Sequence, residues 1–186
     1  EVELMKSQKI INKTIQNLNS EIQYYSEGDI LTRDLYKRSP FKLVDFKLKN
    51  LSLSSSPLYI SFDNEYFKIT NSTKSIVYAE YIKNNSFFSN ENFSGKLIIS
   101  GTLNSFIESL SNYNYYFKIP TLIERRQEIT EHLEINILDY AANTIGITYK
   151  HTNPIYAQDV CNEIAKSYIE YDLTKNYFKG GNKFLG

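Results

Sequence analysis

Glu134 and Asp139 stand in a short apolar run and in the turn that follows it. Two carboxylates that converge on a cleft can divide acid and base work in glycoside hydrolysis. The chain also holds two histidines, His132 and His151, and one cysteine, Cys161. His132 falls on a charged helix end and His151 just before a helix start, places that suit solvated or capping roles better than proton transfer. Cys161 recurs among apolar residues at helical spacing, so it reads as a small core residue rather than a nucleophile. A lone cysteine excludes an intramolecular disulfide. The chain has no Gly-rich phosphate loop, no metal-ligand spacing of His and Cys and no Gly-x-Ser-x-Gly elbow. Neither a cofactor nor a metal is expected.

Binding chemistry is better represented than catalytic chemistry. Tyr113-Asn114-Tyr115-Tyr116-Phe117 could offer ring faces to the C–H face of a sugar, although sheet core with a wet edge is the plainer account of such a run. Arg125 and Arg126, with Arg33 and Arg38, could meet an anionic glycan or a neighbouring subunit, or simply carry solvated charge. Tyr113, Tyr115, Tyr116, Arg125 and Arg126 are therefore the candidates for glycan or subunit contact. Lys+Arg and Asp+Glu both total 21, a balance without the basic excess of a nucleic-acid binder. Tyrosine reaches 16 with no tryptophan. Such rings fill a core with their bodies and leave their hydroxyls at its rim.

These residues need elements to hold them. Leu4, Ile11, Ile15 and Leu18 share one face of a helix predicted over 3–18. Strands are expected over 21–25, with a turn at 26–29, and over 41–48, where apolar residues on both parities suggest burial on both faces. Residues 58–62 and 66–70 read as a hairpin around Asp63-Asn64-Glu65, and 75–82 as a further strand. Residues 83–95 read as a surface loop and 95–100 and 113–119 as strands, while 102–111 is ambiguous. Leu122, Ile123, Ile129 and Leu133 could face inward from a short helix, followed by paired strands at 134–138 and 144–149. Asn153 is placed to cap the last helix, with Pro154 at its first position, and Ala157, Val160, Cys161, Ile164, Ala165, Tyr168 and Ile169 form its apolar stripe. The length suits one domain of α+β class, in which a mixed or antiparallel sheet packs against amphipathic helices at the N- and C-terminal ends. No apolar run approaches the roughly 20 residues of a membrane span. A start at Glu1 suggests an excerpt of a longer chain.

Three segments together resemble a known family. The helix around Glu3-Leu4-Met5-Lys6-Ser7, the entry Leu35-Tyr36-Lys37-Arg38-Ser39-Pro40-Phe41, and the closing Ile147-Thr148-Tyr149-Lys150-His151-Thr152-Asn153-Pro154 helix are similar to the Wzz-type periplasmic domain of polysaccharide co-polymerases. The Tyr-x-x-Ser-Pro-Phe segment looks most like the exopolysaccharide tyrosine-autokinase, or Wzc-like, branch. The resemblance implies a non-catalytic periplasmic domain over 1–179, with 180–186 a truncated or linker tail, held in the inner membrane by flanking segments absent here. It implies self-association into rings, a polysaccharide polymerase and an outer-membrane exporter as partners, and a role in setting chain length or export of capsular, exo- or lipopolysaccharide. A carbohydrate-binding module using exposed tyrosines is the alternative.

Overall fold

A computed structural model describes residues 1–181, those from 176 by backbone alone. In chain order the elements are α1 (Val2–Met5), α2 (Gln8–Asn17), β1 (Gln23–Glu27), β2 (Thr32–Asp34), β3 (Phe41–Leu48), β4 (Leu58–Asp63), β5 (Tyr66–Thr70), β6 (Val77–Ile82), β7 (Phe87–Ser89), β8 (Phe93–Ile99), α3 (Leu103–Ser109), β9 (Asn114–Lys118), α4 (Leu122–His132), β10 (Leu133–Asp139), β11 (Thr144–Tyr149) and α5 (Pro154–Gly181). The fold is α+β, and its sheets are antiparallel. The chain gathers into two compact units: a β unit, Glu21–Thr121, and a helical unit formed by residues 1–20 together with those from 122 onward.

In the β unit a six-stranded sheet of order β2-β1-β9-β4-β5-β6 and a three-stranded sheet β3-β8-β7 enclose one core. Phe41, Leu43, Phe93 and Leu97 from the smaller sheet meet Leu58, Ile60, Phe67, Ile69, Tyr115 and Phe117 from the larger. The two-parity pattern of β3 has a cause other than burial on both faces. Its pairing with β8 shifts between Val44 and Lys47, and Asp45 takes φ 51°. The extra residue moves the inward set from Phe41 and Leu43 to Phe46 and Leu48 and leaves Val44 exposed. The β4–β5 hairpin forms as its turn residues foretell, with Asn64 and Glu65 both at positive φ in a two-residue loop.

Other parts of the β unit differ from expectation. The strand placed at 21–25 begins at Gln23 and runs to Glu27, so its turn falls at 28–31, where the Gly28 N–H bonds the Leu31 carbonyl. The supposed loop at 83–95 contains β7 and the start of β8. Asn90 makes that turn, its Oδ1 accepting from the N–H groups of Asn92 and Phe93 at 2.9 Å each. Residues 103–109 are helical because Thr102 caps them and Phe106 anchors them among Phe41, Phe67 and Tyr115.

The helical unit pairs the first helices with the last. The predicted single helix over 3–18 breaks at Lys6 and Ser7, and the Ser7 hydroxyl caps α2. Ile10, Ile11, Thr14 and Ile15 then form the buried face of α2. Asn17 Nδ2 donates to Glu163 Oε1 and Lys13 pairs with Glu170, both at 2.5 Å, while the Lys9 ammonium sits 4.5 Å from the Tyr171 ring centre. Among the described residues, the hairpin β10–β11, with Leu133, Ile135 and Tyr149 buried, is the sheet in this unit. The cap of α5 forms as read, the Asn153 Oδ1 accepting from Ile155 and Tyr156 N–H at 3.0 and 3.3 Å. Its buried stripe is turned toward Tyr156, Val160, Ile164 and Ser167, so Ala157, Cys161, Ala165 and Tyr168 lie half-buried beside it and Ile169 is 55% exposed. In α4 the buried residues are Arg125 and Ile129, and Leu122 and Ile123 face solvent. Residues 182–186 of the expected tail lie outside the described residues.

Candidate functional site

Alternation along β9 separates the tyrosines read as one contact surface. Tyr115 points into the core, 5.5 Å from Phe106 and 6.3 Å from Phe41 between ring centres. Tyr116 points to the opposite face of the large sheet, where register places it beside Tyr25 and Tyr59 on the neighbouring strands. The three rings stand in a row, 4.9 Å apart and nearly parallel on the Tyr25 side, 5.0 Å apart on the Tyr59 side. Their faces are spent on one another and Tyr116 is only 9% exposed, so this row has little ring face left for a sugar.

Charge is built into the same row. The Tyr59 hydroxyl donates to Glu27 Oε2 at 3.3 Å, and Lys118 Nζ lies 5.8 and 6.0 Å from the Tyr25 and Tyr116 ring centres. Burial, reinforced by Tyr59, Glu27 and Asp34, pushes the Tyr116 phenol up to about 12. Burial and the Glu27 carboxylate raise Tyr59 as well. Tyr25 and Tyr59 were missed as partners of Tyr116, because cross-strand register cannot be read from one strand. Tyr113 is separate from this row. It precedes β9, is 43% exposed, and lies beside Gly28, where a Cβ would stand at an ordinary contact distance of 3.7 Å from its ring carbons.

The two arginines lie in the helical unit. Arg125 is 3% exposed and donates from both terminal nitrogens to Ser20, to its carbonyl at 2.6 Å and its hydroxyl at 2.7 Å. Its guanidinium serves the interior, satisfying the chain just after α2, and is not presented to a glycan or subunit. Arg126 is half-buried with its Nε enclosed. Arg33 and Arg38 are exposed on the β unit.

The groups with catalytic potential are placed as follows. Glu134 and Asp139 are five residues apart on one strand, about 17 Å at the usual rise, well beyond the 5–9.5 Å of a working carboxylate pair. Glu134 bonds Lys150, whose ammonium holds its carboxyl below the usual range. Asp139 Oδ1 accepts from the Ala141 and Ala142 N–H groups at 2.8 and 3.1 Å, closing the hairpin turn. His132 Nδ1 lies 2.8 Å from the Glu128 carbonyl. His151 Nδ1 accepts from the Asn153 N–H at 3.0 Å, a second capping contact at the start of α5, and its Nε2 is 3.9 Å from Glu128 Oε1. Burial pushes the Cys161 thiol up, the reverse of what activates a nucleophile. Among the described residues no group of three or more His, Cys, Asp or Glu could hold a metal ion, and no helix is long and apolar enough to cross a membrane.

No protein-family model matches the chain, and no curated protein shows significant similarity to it.

Proposed function

We propose that this chain is a non-catalytic, periplasmic scaffold module of a polysaccharide co-polymerase, which sets the length or export of a surface polysaccharide by assembling with copies of itself. One observation carries the reading. The first helices and the last helix pack together in one unit through Lys13–Glu170, Asn17–Glu163 and Lys9–Tyr171, while residues 21–121 form a separate excursion of the chain. Terminal segments that belong to one body suit a domain held between two membrane segments, whose ends must return to the same membrane face. The residues that carry the resemblance also do structural work. Ser7 caps α2, the Ser39 hydroxyl accepts from the Phe41 N–H at 3.3 Å, Phe41 is fully buried, and Asn153 caps α5.

On this reading the partners are other copies, a polysaccharide polymerase and an outer-membrane exporter, and nucleic acid is not among them. The protein extended to its flanking segments should carry an apolar span on each side of residues 1–186 and run in detergent as a ring-sized oligomer. Flanking sequence without such spans, or a strictly monomeric full-length protein, overturns the proposal. The 186-residue chain by itself is a poor test, because membrane tethering supplies the high effective concentration that weak lateral contacts need.

A further inference from the structure

A cleft of about 250 Å³ opens in the β unit between the middle of β4, the end of α3 and the entry to β9. Three kinds of group line it. The Tyr113 ring, outside the stacked row and beside Gly28, supplies an aromatic surface. Ser61, Ser111 and Asn114 are the polar residues of the lining, and Phe62 is among its apolar ones. Lys74 supplies the only charge in the lining and has no carboxylate partner among the described residues.

The turn that carries Lys74 is held tightly. Asn71 Nδ2 donates to Thr73 Oγ1 at 3.0 Å and to Ser75 Oγ at 3.1 Å, Asn71 Oδ1 accepts from the Ile76 N–H at 3.1 Å, and Lys74 itself sits at φ 59°. A left-handed lysine is costly unless its surroundings hold it there. A lysine that lines a small cleft from a turn whose backbone is held, with its exposed ammonium unpaired among the described residues, favours an anion. A single ammonium balances the one charge of a carboxylate, whereas a phosphate monoester, at about −1.5 to −2 near pH 7, would leave charge unmatched in a lining with no second cation among the described residues. An aromatic residue beside three polar ones suits a ligand with one C–H face and several hydroxyls. The volume lies just below the usual small-ligand range of about 300–1,000 Å³, so it suits one ring rather than an oligomer.

We propose that this cleft binds a single carboxylate-bearing pyranose, a hexuronate, with Tyr113 against its C–H face, Lys74 on its carboxylate and Ser61, Ser111 and Asn114 on its hydroxyls. The inference stands apart from the assembly reading, since sugar binding is measured on this chain and ring formation only with the membrane segments restored.

The test is an amide ¹H–¹⁵N titration of the chain with sodium D-glucuronate, D-glucose and sodium acetate in parallel. Glucuronate should give saturable shifts at Ser61, Ser111 and Asn114. Glucose should bind about threefold more weakly, the scale of one exposed charge contact, and acetate should not saturate. Lys74→Ala should bring glucuronate down to the glucose level. Tyr113→Ala should weaken both sugars about tenfold, and Tyr113→Phe, which keeps the ring, should restore them. The proposal is overturned by an absence of saturable shifts at the cleft, by acetate matching glucuronate, or by unchanged binding in a folded Tyr113→Ala protein.

Discussion

Arg125 and Ser20 show how much a single side chain can carry. A guanidinium inside the helical unit is tolerable because Ser20 accepts two of its hydrogen bonds. Arg125→Ala should therefore cost about 3 kcal/mol or more, since it strands the Ser20 carbonyl and opens a cavity, and a urea midpoint reads the loss. Thr14 and Ser167 make the opposite case. Both are fully buried with hydroxyls that lack a partner, so Ser167→Ala should leave stability unchanged or raise it by about 1 kcal/mol. The tyrosine row predicts a pH response with a definite sign. Tyr59 and Tyr116 titrate above the ordinary tyrosine value of 10.0 in the folded protein, Tyr116 at about 12. The unfolded chain releases these protons first, so the stability they protect is complete below pH 10 and is lost as pH climbs toward 12. Urea midpoints between pH 9 and 11.5 should fall, and Tyr116→Phe should make that fall shallower.

Helix α5 can be interrogated one face at a time. Val160 and Ile164 have no exposed surface, so Val160→Asp or Ile164→Asp should unfold the helical unit, because an unpaired charge there costs several kcal/mol. Ile169→Asp should cost within about 0.5 kcal/mol, as its side chain is outside the packed stripe. Circular dichroism of the three variants separates the observed stripe from the one hydropathy suggests. Hydropathy errs here because Ser167 is polar yet fills the packed face, while Ile169 is apolar yet faces water. In β8, Gly95 takes φ 152° and a Cβ there would sit 2.9 Å from the Phe46 backbone. Gly95→Ala should destabilise by about 1–3 kcal/mol, visible as a lowered thermal midpoint.

At the scale of the whole chain, the division into units makes a prediction of its own. Gln23 pairs with Lys118, so the β unit's first and last strands are neighbours, and its core is drawn from its own residues. Residues 21–121 expressed alone should unfold in one cooperative transition, whereas a fragment without one would mean that the unit needs the helices. Several local signals are legible in the sequence, although the Ser7 and Thr102 caps and the Asn90 turn are local too and do not stand out from it. The Asn153-Pro154 start of α5, the Asn64-Glu65 turn, the apolar strands and the α+β class follow from short-range dihedral and capping preferences written in adjacent residues. The bulge at Asp45, the stacking of Tyr116 with Tyr25 and Tyr59, the inward turn of Arg125 and the cleft joining Lys74 to Tyr113 do not. Each joins residues that lie far apart along the chain or shifts register by a single position, and only the closed core determines which side chains then face one another.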